Sequence, residues 1–271
     1  MKNYRDPWNE IVKKYSNYTT PCVPSNQDVF HIEEYLKEIL KRNKNPSILI
    51  LGCTGQYRKL FSKYSLKIDL VDITKAMYMY HPKFLNSFPR KEKFMLDNWL
   101  TMRLNKKYDL ILGDFVVHQF PLKKVKMFLK NVSKHLKESG FFITRVCIQS
   151  KNMLSEKRLI KIYKDKKPSL QTVVELNWFY IHRVTINKRI GRSSNKAGFL
   201  AMKKAEKKYP FLREWNKLYE DNLPTGVKYW TVFPKSRYKE CFEEFFKIKS
   251  VLRSKDYVDS KDCPTYVLVK R

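Results

Sequence analysis

The chain has few cysteines, histidines and glycines, and it has no long apolar run. Its 271 residues include only seven glycines, five cysteines and five histidines, with no Cys-x-x-Cys pair and no His at ligand spacing from a Cys or another His. Scattered cysteines of odd number indicate reduced thiols rather than a disulfide framework or a zinc site. No apolar run approaches the roughly 20 residues of a membrane-spanning helix, and the N-terminal MKNYRDPWNE lacks the apolar core of a signal peptide. We therefore expect a cytoplasmic protein without a membrane span or a bound metal.

Acidic residues are scarce relative to basic ones. The 56 Lys and Arg against 26 Asp and Glu give a formal net charge of +30, and such a field attracts phosphates, nucleic acids and anionic membranes. However, 42 of the basic residues are Lys and only 14 are Arg, and they are spread along the whole chain. A dedicated nucleic-acid groove favours Arg, whose planar fork binds phosphate at two points. The charge therefore indicates either a solvated Lys-rich surface or a polyanion-binding surface, and both interpretations stay open.

Branched apolar runs alternate with helical stretches in the first half of the chain. The runs ILIL, DLILG and FFITRV are apolar almost throughout, which is typical of strands buried on both faces. The alternation predicts a parallel sheet with right-handed crossovers and helices on both faces. A helix capped by Ser25 is expected before the sheet. The strand candidates are 47–51, 67–71, 93–96, 108–113 and 140–148.

The second half has a different pattern. Residues 151–222 are basic, aromatic and helical, with no strand of comparable strength. A helix is predicted over 236–248, followed by strand candidates at 249–258 and 265–270. Because a parallel crossover needs a dozen residues or more, these closely linked strands must be antiparallel.

The stretch SILILGCTGQYRKLF predicts a strand, a glycine turn and the start of a helix, which is the pattern of a nucleotide-binding corner. A NAD fingerprint would read GxGxxG with an acidic residue about 20 positions later. Here Gly52 and Gly55 are spaced GxxG, and the third small residue is missing, although Asp72 does follow the second strand. Glycine and acid alone do not separate NAD from other adenosine ligands.

Further motifs follow in a fixed order along the chain: PCVPS (21–25), MLDNWL (95–100), GDFVVHQFP (113–121), HLKESGFFITRV (135–146) and CPTYVLVKR (263–271). Their order and spacing resemble those of the class I S-adenosylmethionine-dependent methyltransferases. The resemblance implies a Rossmann-like, seven-stranded, mostly parallel sheet with an antiparallel terminal strand. Helices would cover both faces, and a helical insert would lie between strands 5 and 6.

The resemblance also implies S-adenosylmethionine as cofactor. The glycine turn would contact its methionine part, an acid after the second strand its ribose, and an acid after the third strand its adenine. The turn departs from the usual GxGxG, because Thr54 and Gln56 stand where glycines are common. The implied contacts are Gly52, Cys53, Gly55, Asp72, Ile73, Asp97, Asn98, Trp99 and Asp114.

Acceptor-side candidates are fewer. His118 lies just past the fourth strand, and an imidazole titrating near pH 6.5 suits a general base, although a lone His among apolar residues is also typical of a structural role. Trp8, Tyr15 and Tyr18 belong to an aromatic N-terminal arm that is expected to contact the substrate as a lid. Arg145 is either a substrate contact or a buried ion-pair partner.

We expect one methyltransferase-like domain over residues 1–271. Its parts are the arm and first helix (1–45), the cofactor-binding core (46–150), a helical substrate cover (151–224), and a terminal helix with antiparallel strands (225–271). The leading hypothesis is methyl transfer to a small-molecule acceptor. The alternatives are methylation of RNA or another polyanion, for which the net charge argues, and a non-catalytic binding module of the same fold.

Overall fold

The computed structural model describes residues 6–80, 91–149, 155–226 and 228–271. Parts of the predicted segments lie outside the described residues, namely 1–5 of the arm, 81–90 and 150 of the core, 151–154 of the insert, and 227. The strands within the described ranges are β1 (Ile48–Leu51), β2 (Ile68–Asp72), β3 (Glu92–Leu96), β4 (Tyr108–Asp114), β5 (Leu136–Arg145), β6 (Arg192–Ser194), β7 (Tyr229–Thr231), β8 (Phe246–Leu252) and β9 (Thr265–Lys270).

Seven of these strands form one sheet, in the order β3-β2-β1-β4-β5-β9-β8. The first five run parallel, whereas β9 is antiparallel to both of its neighbours, β5 and β8. This confirms the predicted mostly parallel sheet with an antiparallel terminal strand. The order reverses between β1 and β4, so that the crossovers leave a crevice at the carboxyl ends of the strands there.

The sheet is covered on both faces. The helices of the described ranges are α1 (Asp6–Lys13), α2 (Asn26–Arg42), α3 (Gly55–Lys63), α4 (Lys75–Tyr80), α5 (Leu122–His135), α6 (Glu156–Tyr163), α7 (Leu170–Phe179), α8 (Asn195–Glu206), α9 (Leu212–Asn222) and α10 (Lys235–Glu243). In the part of the chain described, none is both long and apolar enough to cross a bilayer.

Alternation along β1 divides the core into two layers. Leu49 and Leu51 pack with residues of α5 and α10 on one face of the sheet, and Ile48 and Ile50 pack with α2 and α3 on the other. All four side chains are at most 1% exposed. Because successive side chains of a strand point to opposite faces, an unbroken apolar run is what a strand covered on both sides requires.

The start of α2 lies where the sequence places it. The Ser25 hydroxyl accepts the backbone N–H of Asp28, and the Asp28 carboxylate accepts the backbone N–H of Ser25. This capping box satisfies two N–H groups that the helix itself leaves unbonded. The predicted cap at Ser25 is therefore confirmed.

The insert carries one short strand that the sequence does not predict. Besides α6 to α9 it contains β6, which pairs antiparallel with β7 over three residues, and a π-helical turn, Tyr180–Val184, that extends α7. A three-residue strand has too few alternating positions to be recognised as a periodic pattern.

The predicted boundary between the last helix and β8 is also wrong. Helix α10 ends at Glu243 and β8 begins at Phe246, whereas the predicted helix extends to residue 248. Phe246 is buried and Lys247 is exposed, which is the alternation of a strand. In the sequence this alternation is hard to recognise, because Phe246 also ends the run FEEFF, which has helical spacing.

Candidate functional site

A cavity lies at the carboxyl ends of β1, β2 and β4, next to the reversal of strand order. The empty space at this site, including the part open to solvent, is about 890 Å³. Its described walls come from the sheet, the N-terminal arm and the insert. The predicted site residues that line it are Gly52, Cys53, Asp72, Trp99, Asp114, Trp8, Tyr15 and Tyr18.

The glycine turn after β1 takes a backbone conformation that few other residues adopt. Gly52 has φ of +94° and donates its N–H to the Val71 carbonyl at 2.7 Å. A β-carbon at this position would lie 3.7 Å from the Trp99 ring, which is an ordinary contact. The positive φ, and not lack of space, is therefore what favours glycine here.

Asp72 ends β2 and presents a buried carboxylate to this turn. Its Oδ1 accepts the Thr74 backbone N–H at 3.1 Å. Burial, opposed in part by this hydrogen bond and by the charge of Lys228, raises the pKa of Asp72 to about 6. A carboxylate with so little internal compensation is suited to accepting hydroxyl groups of a ligand.

Trp99 lies across the turn from Asp72. Its indole N–H donates to the Val71 carbonyl at 2.7 Å, which fixes the ring beside Gly52. Four other predicted cofactor contacts do not line the cavity. Asp97 is tied to Asp72 through its backbone N–H, and its carboxylate accepts the N–H of the next residue. The others are Gly55, Ile73 and Asn98.

Asp114 reaches the cavity from β4 and is held from behind. The Arg145 guanidinium donates to both of its carboxylate oxygens, at 2.8 and 3.0 Å. Arg145 also donates to Asp28 at 3.0 Å and to the Tyr257 hydroxyl at 3.3 Å. Burial raises the pKa of Asp114, and the attraction of Arg145 opposes that rise.

Arg145 itself is fully buried and does not line the cavity. All of its donors named above go to protein groups, so a substrate has no access to them. Of the two interpretations offered by the sequence, the structure therefore favours the buried ion pair, and the substrate contact predicted for Arg145 is not realised in this arrangement.

His118 also lies outside the cavity lining. Its Nδ1 donates to the Thr231 carbonyl, and its Nε2 accepts the Cys147 backbone N–H at 2.7 Å. Burial lowers the pKa of His118 to about 3. Because both ring nitrogens are hydrogen-bonded to the protein, the structure argues against the proton-accepting role predicted for this residue and indicates a structural one.

The N-terminal arm closes one side of the cavity with Trp8, Tyr15 and Tyr18. The Lys228 ammonium lies 3.2 Å from the centre of the Trp8 ring. Lys228 is buried, and this burial lowers its pKa while the charge of Asp72 opposes the fall. A cation on an aromatic face is attracted by the ring quadrupole, so this contact ties the arm to the segment before β7.

The insert supplies another wall of the cavity, and none of the residues that form it was singled out in the sequence. Asn177, Trp178 and His182 line the cavity from α7 and the π-helical turn. Asn195, whose Oδ1 accepts the Trp230 indole N–H at 2.5 Å, lines it from the start of α8. The signal available in the sequence was the clustering of aromatic and polar residues in NWFYIHR.

The two walls differ in charge. Asp72 and Asp114 carry carboxylates on the sheet side, whereas the polar residues on the insert side are the neutral Asn177, His182 and Asn195. No Lys or Arg is among the described residues that line the cavity. The site therefore combines anchors for hydroxyl or cationic groups with a neutral, aromatic wall.

No protein-family model matches the chain, and no curated protein matches it by sequence. Solved structures do match it. The CcbJ methyltransferase of Streptomyces caelestis superposes with a TM-score of 0.60 at 9% identity, over 96% of each chain. The N-methyltransferase NodS of Bradyrhizobium japonicum WM9, in complex with S-adenosyl-L-homocysteine, has a TM-score of 0.53 at 9% identity, over 97% of this chain and 98% of that one.

A structure from Rhodobacter sphaeroides named among the Zn-dependent alcohol dehydrogenases has a TM-score of 0.59 at 11% identity, over the whole of both chains. Identities this low show the fold alone. Together with the observed strand order, the methyltransferase neighbours show that the chain has the fold of the class I S-adenosylmethionine-dependent methyltransferases.

Proposed function

We propose that this chain is an S-adenosylmethionine-dependent methyltransferase that acts on a small-molecule acceptor. The observation that carries the proposal is the pairing of Gly52, in a left-handed turn, with the buried carboxylate of Asp72 at the carboxyl ends of β1 and β2. In this fold that corner is where an adenosine ligand binds.

The residues of the sheet side fit the cofactor. Asp72 would accept the ribose hydroxyls, and Trp99 would flank the adenine, with Asp97 next to it through the Asp72–Asp97 backbone hydrogen bond. The turn at Gly52 and Cys53, together with Asp114, would hold the methionine part. When bound, S-adenosylmethionine supplies an electrophilic methyl group on a sulfonium. The protein then has chiefly to align the acceptor and exclude water.

The character of the cavity favours a small-molecule acceptor over a polyanion. Two carboxylates face the cavity, and no described lining residue is a Lys or Arg. A phosphate backbone would be repelled there, whereas a nucleic-acid groove is lined by Lys and Arg. The net charge of +30 favours the second candidate, methylation of RNA or another polyanion, which would require the phosphates to bind outside the cavity.

Calorimetry with S-adenosylmethionine tests the proposal, using two substitutions on the same strand. Asp72 and Asp69 are both 7% exposed residues of β2, but only Asp72 lines the cavity. Hydrogen bonds to a charged group contribute about 1.5–3 kcal/mol, so Asp72→Asn is expected to weaken binding about 10- to 100-fold. Asp69→Asn is expected to leave the affinity unchanged.

Two results would overturn the proposal. One is a wild-type protein that takes up no S-adenosylmethionine. The other is an Asp72→Asn variant that binds it as tightly as wild type. Uptake without transfer of a labelled methyl group to any small molecule or RNA of a cell extract would instead favour the non-catalytic binding module.

A further inference from the structure

His182 occupies a distinctive place in the insert. It lies in the π-helical turn that extends α7, is 1% exposed, and lines the cavity. A π-helical turn widens the backbone by one residue and recurs at functional sites, where it aims a side chain that a regular helix would turn away. Here that side chain is an imidazole, and it lies in the wall opposite the strand ends.

One ring nitrogen of His182 makes no hydrogen bond to the described part of the protein. Its Nδ1 is buried and has no hydrogen-bond partner within the described ranges. The contacts of the ring are aromatic, with Trp178 at 4.0 Å and Trp230 at 6.4 Å between ring centroids. His118, in contrast, has both ring nitrogens bonded. A buried polar atom without a partner requires an explanation, and a missing ligand is one.

Burial, more than nearby charge, keeps this imidazole neutral. Burial first, and then His118 and Arg183, lower the pKa of His182 well below its ordinary value. Arg183 is itself committed to Asp259 at 2.6 Å and Asp262 at 3.1 Å, so it is not offered to the cavity. A neutral ring has one lone pair that can accept a proton.

We propose that His182 contacts the methyl acceptor and removes its proton through its imidazole, an inference that rests on the proposed function. The bond between the acceptor atom and its hydrogen breaks, the proton passes to the imidazole lone pair, and the electron pair remains on the acceptor atom to bond the incoming methyl carbon. The carbon–sulfur pair of the donor stays on sulfur. Charge is conserved, because the imidazole gains the positive charge that the sulfonium loses.

The same wall indicates the acceptor's chemical class. Asn177 and Asn195 flank the site with amide groups, and Asn195 has its oxygen occupied by Trp230, which leaves its Nδ2 to donate. Trp178 and Trp230 add flat apolar surface. These neutral groups suit an uncharged molecule with an aromatic or otherwise flat body that bears a hydroxyl or N–H group as nucleophile.

Chemical modification tests the state of the imidazole without any acceptor. Diethyl pyrocarbonate acylates an imidazole nitrogen whose lone pair is available, and peptide mass spectrometry locates the product. His182 is expected to react before His118, and saturating S-adenosyl-L-homocysteine is expected to slow its reaction by filling the shared cavity. Reaction of His118 first, or no protection of His182, would overturn the inference.

Substitution tests the role in transfer, with labelled S-adenosylmethionine and a small-molecule extract as probe. General-base catalysis contributes about 10²- to 10⁴-fold, so His182→Ala should lower transfer by that factor while the calorimetric affinity for S-adenosylmethionine stays unchanged. Added imidazole should restore part of the rate, which it would not do for a purely structural residue.

His31→Ala is the matched control. The Nδ1 of His31 is likewise buried without a partner, but His31 lies on α2 and does not line the cavity. Its removal should leave transfer unchanged. Wild-type activity with an equally active His182→Ala, or a loss that imidazole does not rescue, would overturn this inference alone. Absence of S-adenosylmethionine uptake by wild type would overturn the proposed function and this inference with it.

Discussion

The sheet side and the insert side of the cavity hold their functional groups by different means. On the sheet side, carboxylates are placed by strand ends and backed by an ionic network, as when Arg145 joins Asp114 to Asp28. On the insert side, neutral groups are placed by hydrogen bonds and aromatic packing, as in the contact of Trp230 with Asn195. Charge is thus confined to the wall proposed to hold the cofactor.

This difference has an energetic meaning. Burying a charge costs free energy unless the charge is paired. For Asp72 this cost is largely uncompensated within the protein, and a ligand bound at this position would offset it. The neutral wall carries a smaller penalty and can accommodate different acceptors by changes in shape. The two walls should therefore respond differently to matched substitutions.

The largest effect is expected from breaking the ionic network. Arg145→Met would leave the carboxylates of Asp28 and Asp114 buried without their cation, which destabilises a protein by about 3–5 kcal/mol. Arg237→Met, which breaks an exposed pair with Glu240, should lower the free energy of unfolding by no more than about 1 kcal/mol. Urea unfolding measures both losses, and equal losses would contradict the distinction between buried and surface ion pairs.

A pH-dependent effect of intermediate size is expected at Asp72. Its folded-state pKa, about 6, lies above its unfolded value near 3.8, so the folded protein binds the extra proton between these values. Stability contributed by protonation is present below pH 3.8 and is lost as the pH rises through 6. Asp72→Asn should therefore raise the free energy of unfolding at pH 8 by up to about 3 kcal/mol.

The same variant should show little of this gain near pH 3, where the wild-type carboxyl is mostly protonated in both states. Thermal unfolding at the two pH values measures the difference. A gain at pH 8 combined with weaker S-adenosylmethionine binding would show that this wall gives up stability for ligand affinity. An equal effect of the substitution at both pH values would contradict the raised pKa.

The smallest effect on stability is expected from removing one indole N–H beside each wall, and this pair of substitutions compares the two walls directly. Trp99→Phe removes the donor to Val71 on the sheet side, and Trp230→Phe removes the donor to Asn195 on the insert side. Each should destabilise the fold by about 1 kcal/mol. Calorimetry should show weaker S-adenosylmethionine binding for Trp99→Phe only, and labelled transfer should fall for Trp230→Phe without a change in that affinity. The reverse assignment would invert the proposed roles.

Sequence reasoning worked where local chemistry decides structure. The apolar run of β1, the cap at Ser25 and the carboxylate that ends β2 are each specified by a few neighbouring residues, and the structure has all three. The conformation of Gly52 follows equally from its place between a strand and a helix. These local features of the sheet side were therefore accessible to prediction, whereas Gly55, Ile73, Asp97 and Asn98 do not line the cavity.

The rest depends on contacts between distant residues. Arg145 meets Asp28 and Tyr257 across 117 and 112 positions, so its choice between substrate and ion pair could not be read locally. His118 is fixed by Thr231, 113 positions away. His182 lines the cavity only because the insert folds over the strand ends, which its neighbours in the sequence do not indicate. Long-range partners, and not residue types, determined these outcomes.

The contacts of Arg145 also determine which truncations of the polypeptide the site can tolerate. It binds Asp28, near one end of the chain, and Tyr257, near the other, while Ser254 donates to that same Asp28 at 2.6 Å. Residues distant in the sequence thus converge on a single guanidinium behind the site. A fragment that stops before β8 would keep every proposed cofactor contact but lose the contacts of Ser254 and Tyr257 with Asp28 and Arg145. Such a truncation should therefore weaken ligand binding although it removes no residue proposed to contact the cofactor.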